Sequence, residues 1–396
     1  MTVSKLVFTP LSYTGWGSLQ QLLPEVKKYH PAHILIVTDP VLKDIGLVDK
    51  VSSPLIKNGY EVDVYADTAP EPPLALGEKL VSYAKSRKFD LVIGVGGGSA
   101  LDLAKLTAVL AVHDGAVEEY LNLTGTKQIS KKGLPKILIP TTSGTGSEVT
   151  NISVLSLEST KDVVTHDYLL ADAAIVDPEL TLRLSVPPKV TAATGVDALT
   201  HAIEAYVSVN ANPATDALAL KAIRMISSSL RTAVENGKDK EARTQMSYGS
   251  YLAGLAFFNA GVAGVHALAY PLGGQFHISH GESNAVLLPY VMGYIRSSCV
   301  EKMRDIFAAL GGNASSLSEE EASYQCVKQL QSLVKDVGIP QTLRGFDIPE
   351  SALQKLTEDG VQQKRILARS PLPLYEKDIR AIYQSAYDGA IVEPVH

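Results

Sequence analysis

The chain has 396 residues, 45% of them hydrophobic and 20% charged, with a formal net charge of -6. That length exceeds one ordinary hydrophobic core and predicts two domains, while the composition excludes a disordered or fibrous chain. The acidic balance and the lack of any long basic run exclude a nucleic-acid track. Cys299 and Cys326 alone cannot frame a disulfide-stapled fold and fit a reducing compartment. No apolar run approaches the ~20 residues of a membrane span, and the opening MTVSKLVFTPLSYTGWGS lacks an apolar stretch of signal-peptide length, so a cytoplasmic protein is expected.

In chain order, SKLVFTP (Ser4 to Pro10) reads as a short strand before a Gly-Trp-Gly turn. HILIVTD is a short apolar run with a polar tip, followed by a helical segment, VLKDIGLVDKVSSPLIKNG. Then come the strand YEVDVYAD, the helix LGEKLVSYAKSRK, the strand FDLVIGVGGG, the helix SALDLAKLTAVLAV and the strands KILIPTT and AAIVDPEL. Such alternation predicts an α/β domain with a parallel sheet covered by helices, whose ligands sit beyond the carboxyl ends of the strands. After Pro188 the apolar spacing becomes helical throughout. The expected division is residues 1–185, an α/β domain, and 186–396, a helical domain. SSLSEEEAS reads as a loop with a capping serine before its glutamates.

Two turns at strand tips carry the chemistry of the first half. In LVIGVGGGSALDLAK, the glycines up to Gly97 and Gly98, then Ser99, stand between a buried strand and a helix. Glycine lets backbone amides approach an anion and the helix N-terminus favours negative charge, which suits a pyrophosphate. The pattern is neither the three-glycine dinucleotide fingerprint nor a P-loop, and a plain strand-to-helix link explains one such turn equally well. PTTSGTGSEVTN adds the hydroxyls of Thr141, Thr142, Thr145 and Ser147 at a neighbouring tip. Asp39, at the tip of an earlier strand, is placed to accept from the adenosine ribose and to repel a 2'-phosphate; Asp39-Pro40 also reads as a helix start.

The second half carries a different chemistry. In TGVDALTHAIEAY, Asp197 and His201 are four residues apart and share one helix face. GVHALAYPLGGQFHISHGESN supplies His266, His277 and His280 in a Gly- and Pro-containing stretch able to turn ligands back together. Taken singly, Asp-x3-His is more often a surface pair or a satisfied core histidine. Four of the nine histidines in this region, with one carboxylate, suit iron, zinc, cobalt or nickel.

GVGGGSALDLAK with PTTSGTGSEVT, then GVDALTHAIEAY, then GVHALAYPLGGQFHISHGESNAVLLPYVM resemble, in order and over nearly the whole chain, the iron-containing (group III) alcohol dehydrogenase family. The resemblance implies an N-terminal dinucleotide-binding domain, a helical domain, a metal between them, and a homodimer or higher homo-oligomer. It implies metal ligation by Asp197, His201, His266 and His280, with Fe2+ expected and Zn2+ the alternative. It further implies a pyrophosphate loop at Gly97, Gly98 and Ser99 with Asp102 behind it, and a second cofactor loop at Thr141, Thr142, Thr145 and Ser147. Lys161 and Leu182 would touch the nicotinamide half, and Asp39 goes with NAD in preference to NADP. Tyr270 stands where many members carry a histidine, four residues after the third ligand, and Ser370 where members often begin an Asn-Pro-Arg turn.

The chemistry so implied is reversible alcohol oxidation on a small alcohol or aldehyde: a cation polarises the oxygen and hydride passes to or from the nicotinamide. His277, the histidine not needed for ligation, is the first candidate for a proton route, and Tyr270 the second. A modest primary alcohol is expected, its tail against Phe257, Phe258, Phe276 and Leu367. A metallohydrolase or lyase acting on a phosphorylated substrate would use the same ligands, and a nucleotide-sensing protein would need one of these positions to be lost. Within the superfamily, activities like glycerol dehydrogenase, maleylacetate reductase or hydroxyacid-oxoacid transhydrogenase also remain open.

Overall fold

The structure, a computed structural model, describes residues 3–157, 161–182 and 186–392. The chain forms two compact units, Phe8–Pro187 and Pro188–His396, with Met1–Val7 grouped with the second. The expected boundary after residue 185 touches 183–185, which lie outside the described residues.

In the first unit, six parallel strands form one sheet in the order β1-β8-β5-β4-β2-β3: β1 (Ser12–Thr14), β2 (His33–Val37), β3 (Glu61–Tyr65), β4 (Leu91–Gly96), β5 (Lys136–Pro140) and β8 (Ala173–Val176). The central strands are buried on both faces, the reason they read as unbroken apolar runs rather than alternating ones. Helices α1 (Leu22–Lys27), α2 (Pro40–Asp44), α3 (Asp49–Lys57), α4 (Leu74–Arg87) and α5 (Gly98–Leu110) accompany them. Gly94 lets α5 press onto the sheet: a Cβ there would lie 2.8 Å from both Ala104 Cβ and Leu138 Cδ2. Winding reverses where β2 and β4 meet, and β5, β4 and β2 end side by side. In an open parallel sheet that reversal is where ligands bind, and the tips there are Pro140, Gly96 and the residues after Val37.

Two local expectations need correction, and one element was not foreseen. Ser4 to Pro10 form no strand. The Val7 amide donates to Asn259 Oδ1 (2.7 Å) and its carbonyl accepts from Asn259 Nδ2 (3.0 Å), so a side-chain amide takes the ladder's role, and the first strand is Ser12–Thr14 beside β8. Residues 41–59 are not one helix; α2 and α3 are separated at Gly46, whose φ of 73° no helix accommodates. An antiparallel hairpin, β6 (Ile152–Ser156) with β7 (Lys161–Thr165), was not foreseen, although Ile152–Ser156 alternates in burial as a strand should.

The second unit holds α6 (Pro188–Val207), α7 (Pro213–Glu235), α8 (Lys240–Ala260), α9 (Gly264–Phe276), α10 (His280–Ile295), α11 (Val300–Ala309), α12 (Glu319–Asp336), α13 (Leu353–Val361), α14 (Lys364–Leu367) and α15 (Glu376–Asp388). Helix α7 shows why: Asn212 and Thr215 form a capping box with Pro213 at the first helical position. Its Ala219, Ala222, Ile223, Ile226, Leu230 and Ala233 recur at helical spacing and are buried in the core that α6 and α8 share. Burial of each such Ile or Leu contributes roughly 1.5–3 kcal/mol, and Ile226→Asp would break this face. Ser318 caps α12 reciprocally with Glu321, as its sequence predicts. Among the described residues no single helix is long and apolar enough to cross a membrane; α8 and α9 qualify only as a pair bent by 104°.

Candidate metal centre and cofactor turns

Helix α6 projects Asp197 and His201 from one face, one turn apart. Helix α9 carries His266 in its first turn, and His280 opens α10. The Pro271-containing stretch is helical through Phe276, so the turn between the two histidines is only His277–Ser279, a correction to the expected Gly/Pro turn. One ligand atom from each of Asp197, His201, His266 and His280 lies within 4.8 Å of the others. Asp197 Oδ1 is 3.8 Å from His266 Nε2 and 3.7 Å from His280 Nε2. Ligands on a tetrahedral ion with bonds of about 2.1 Å stand roughly 3.4 Å apart, so the two Asp197 distances are within tenths of an ångström of that spacing and the donor set as a whole would close in by about 1 Å at most of its edges around a divalent cation.

The surroundings hold these groups in place. The His201 ring lies between Phe257 (4.2 Å, 16°) and His266 (4.6 Å, 26°). Asn284, fully buried, donates from Nδ2 to Asp197 Oδ1 (2.7 Å) and lies 3.2 Å from His266 Nε2 and 3.3 Å from His280 Nε2. Burial by itself would raise the Asp197 carboxyl, but the neighbouring His201, His280 and His266 and the Asn284 amide outweigh it and hold it below the usual range. Glu204, 1% exposed, accepts from His266 Nδ1 at 2.6 Å. Gly281, second in α10, meets the Ala193 backbone of α6 so closely that a Cβ there would collide with the Ala193 carbonyl. Tyr270 stands beside the cluster, its ring 5.9 Å from that of His280. His277 is not brought into the cluster: it is exposed and ends α9 with φ 55°.

In the first unit the two turns touch. Gly96, with φ 153°, and Gly97 lead into α5. Thr141 N donates to Gly96 O (3.0 Å), and a Cβ on Gly98 would lie 2.6 Å from Thr145 Cγ2. Asp39 does two things at once: Oδ1 caps α2 by accepting from Leu42 N (2.9 Å), while Oδ2 faces Gly96, 3.6 Å from where its Cβ would be. Asp102 braces the second turn, accepting from Ser147 Oγ (2.5 Å) and from Val154 N (3.0 Å). Ser99 Oγ accepts from the Glu71 amide (3.2 Å), and the Glu71 carboxylate pairs with Lys161 Nζ (2.9 Å), which ties Lys161 to the first turn. Thr142, at Gly97, completes the contact of the two turns. Leu182 follows a short turn, Pro178–Thr181, and its carbonyl accepts from Val186 N (3.2 Å).

Residue-level reading missed Glu204, Asn284 and Lys105. Lys105 is wholly buried, with Nζ 3.0 Å from Asp102 Oδ1 and donating to the carbonyls of Ser147 (3.0 Å) and Ile152 (2.5 Å). Burial depresses its pKa, opposed by Asp102. The signal was there: a lysine three residues after Asp102 in a mostly apolar helix buried nearly all round. Glu148, also buried, has its carboxyl pushed up to about 7 by desolvation, against the pull of Lys105.

A parallel sheet ending in two glycine- and threonine-rich turns, with a one-carboxylate, three-imidazole cluster on helices, is an architecture that known families share. The iron-containing alcohol dehydrogenase family matches residues 10–178, and the C-terminal part of the Fe-containing alcohol dehydrogenase family matches 191–387; the chain belongs to this family and is an alcohol dehydrogenase. It is 74% identical over 394 residues to long-chain-alcohol dehydrogenase 1 of Geobacillus thermodenitrificans, spanning all of this chain and 99% of that protein. It is 38% identical to the 1,3-propanediol dehydrogenase of Klebsiella pneumoniae over 89% of this chain and 91% of the other. The solved structure of a 1,3-propanediol oxidoreductase superposes with a TM-score of 0.93 at 34% identity, covering 98% of this chain and all of the other. Sulfoacetaldehyde reductase of Bifidobacterium kashiwanohense, solved in complex with NAD+, gives 0.86 at 26% identity, over 98% and 99%. Membership decides for an oxidoreductase over the metallohydrolase alternative.

Proposed function

We propose that this enzyme interconverts primary alcohols of long alkyl chain and their aldehydes, using NAD and a divalent metal, iron before zinc. The observation that carries the reading is the convergence of Asp197, His201, His266 and His280 within 4.8 Å. These four residues would hold the cation. When bound, it polarises the alcohol or carbonyl oxygen, while the nicotinamide takes or gives the hydride.

The chain's own residues do the rest. Gly97 and Gly98 leave room for a pyrophosphate at the start of α5, whose amides and dipole favour its charge, and Ser99 offers a hydroxyl there. Thr141, Thr142, Thr145 and Ser147 supply hydroxyls from the second turn, while Asp102 acts by holding that turn rather than by touching the cofactor. The Oδ2 of Asp39, facing the first turn, accepts from a ribose hydroxyl and repels a 2'-phosphate. Lys161, fixed by Glu71, and Leu182 bound the nicotinamide half. Tyr270, beside His280, orients the substrate oxygen and passes its proton outward; exposed His277 receives it. Phe257, Phe276 and Leu367 offer the tail an apolar wall. A long chain in place of the modest alcohol expected from sequence is supported by the 74% identical relative's name. The enzyme is read as cytoplasmic and as a homodimer or larger homo-oligomer.

The test is NAD reduction with a series of alcohols from ethanol upward, on protein stripped by chelation and reloaded with Fe2+ or Zn2+. Activity that rises with chain length and returns only with metal is expected. Equal turnover in stripped and reloaded protein would overturn the metal reading.

A further inference from the structure

We propose that Glu204 is a positioning residue for the metal: it fixes the tautomer of His266 and supplies the second buried negative charge of the site. The proposal rests on the reading of Asp197, His201, His266 and His280 as a cation site.

Glu204 follows His201 by three residues and Asp197 by seven on α6, so all three share one helix face. Both of its oxygens are engaged. Oε1 accepts from the Val265 amide at 2.6 Å; Oε2 accepts from His266 Nδ1 at 2.6 Å and from the His266 amide at 3.4 Å. Helix α9 starts after Ala263, which has no capping side chain, so a carboxylate from another helix meets the donors that a cap would ordinarily satisfy. The same contact has a chemical consequence. A carboxylate only accepts, so Nδ1 of His266 must carry the hydrogen, which leaves the lone pair on Nε2. Nε2 is the atom aimed at Asp197 Oδ1. His266 is thereby held in its ligating form by a residue that ligates nothing.

Charge supports the same role. Asp197 and Glu204 are both about fully buried, and among the described residues no lysine or arginine pairs with either. Two buried carboxylates would offset the charge of a divalent ion held there. A single carboxylate would leave one positive charge uncompensated in a buried setting, which is unfavourable.

The experiment compares wild type with Glu204→Gln. Glutamine keeps the shape and one acceptor, but its amide hydrogens must face either the Val265 amide or His266 Nδ1, both donors. Zn2+ and Fe2+ dissociation constants by chelator competition should weaken by about 10- to 100-fold, the usual effect of losing such an orienting partner. The melting temperature of the metal-free protein should fall somewhat, because one of the buried donors that Glu204 satisfies is left facing an amide hydrogen. A role confined to capping α9 predicts the same fall in melting temperature with a dissociation constant within about twofold of wild type, which overturns the proposal. Should the variant fail to fold, histidine-labelled wild type decides by nitrogen NMR. Hydrogen on Nδ1 of His266 in the metal-free protein is expected; hydrogen on Nε2 overturns it. Wild type that binds neither ion sinks the metal reading and this proposal together, whereas tight binding by wild type and variant alike sinks Glu204 alone.

Discussion

The two candidate cofactor turns and the candidate metal cluster are built in opposite ways. At the turns, chemistry resides in the backbone: Gly96, Gly97 and Gly98 are useful for what they lack, and the hydroxyls of the neighbouring turn come from one continuous stretch, Thr141 to Ser147. At the cluster, chemistry resides in side chains on three helices, from Asp197 to His280, and each needs a partner to aim it: Phe257 for His201, Glu204 for His266, Asn284 for Asp197. A site made of backbone fails by being filled. A site made of side chains fails by losing a donor or its brace.

That contrast can be attacked from both ends. The largest effect should come from His266→Ala, which removes a ligand: turnover is expected to fall at least about a thousandfold, some 4 kcal/mol, with loss of bound metal by elemental analysis. Lys105→Met leaves Asp102 buried without its cation; urea unfolding should show a loss of about 3 kcal/mol or more. Gly98→Ala fills the turn against Thr145, and overpacking of about 1–3 kcal/mol should weaken NADH binding roughly ten- to a hundredfold in a fluorescence titration while metal content is unchanged. Glu148 gives a pH signature. Its buried carboxyl titrates near 7 rather than 4.5, so its protonated form favours the fold fully below 4.5, and that contribution is lost as pH rises through about 7. Wild-type stability should thus fall relative to Glu148→Gln by up to about 1.4 kcal/mol per pH unit across that window, and parallel curves would refute it. The smallest effect is Asp39→Ala: about 1 kcal/mol from the lost cap of α2 in thermal unfolding, together with a narrowed preference for NADH over NADPH.

The sequence carried much of this, unevenly. The parallel sheet was legible because buried strands such as Leu91–Gly96 are apolar end to end, and the turns because glycines and threonines are contiguous. Asp197 and His201 were legible from helical spacing. Among His266, His277 and His280, residue types alone could not say which two join Asp197 and His201; in the structure His266 and His280 do, while His277 is an exposed helix end. Glu204 sat in view, one turn beyond His201, but its partner is 62 residues away, and only packing of α9 on α6 reveals the contact. Likewise, Ser4 to Pro10 looked like a strand because apolar alternation does not disclose that Asn259, 252 positions on, takes the backbone bonds of Val7.

Gly281 makes a last point about what an intact donor set guarantees. Its missing side chain is the clearance that lets the opening turn of one helix rest on the main chain of another, next to the 3.7 Å gap between His280 and Asp197. A single methyl at this bystander would act as a wedge, prying the grip open while every donor stays in the sequence. Counting donors is therefore a poor gauge of whether a relative still works; the spacer beside them must be read as well.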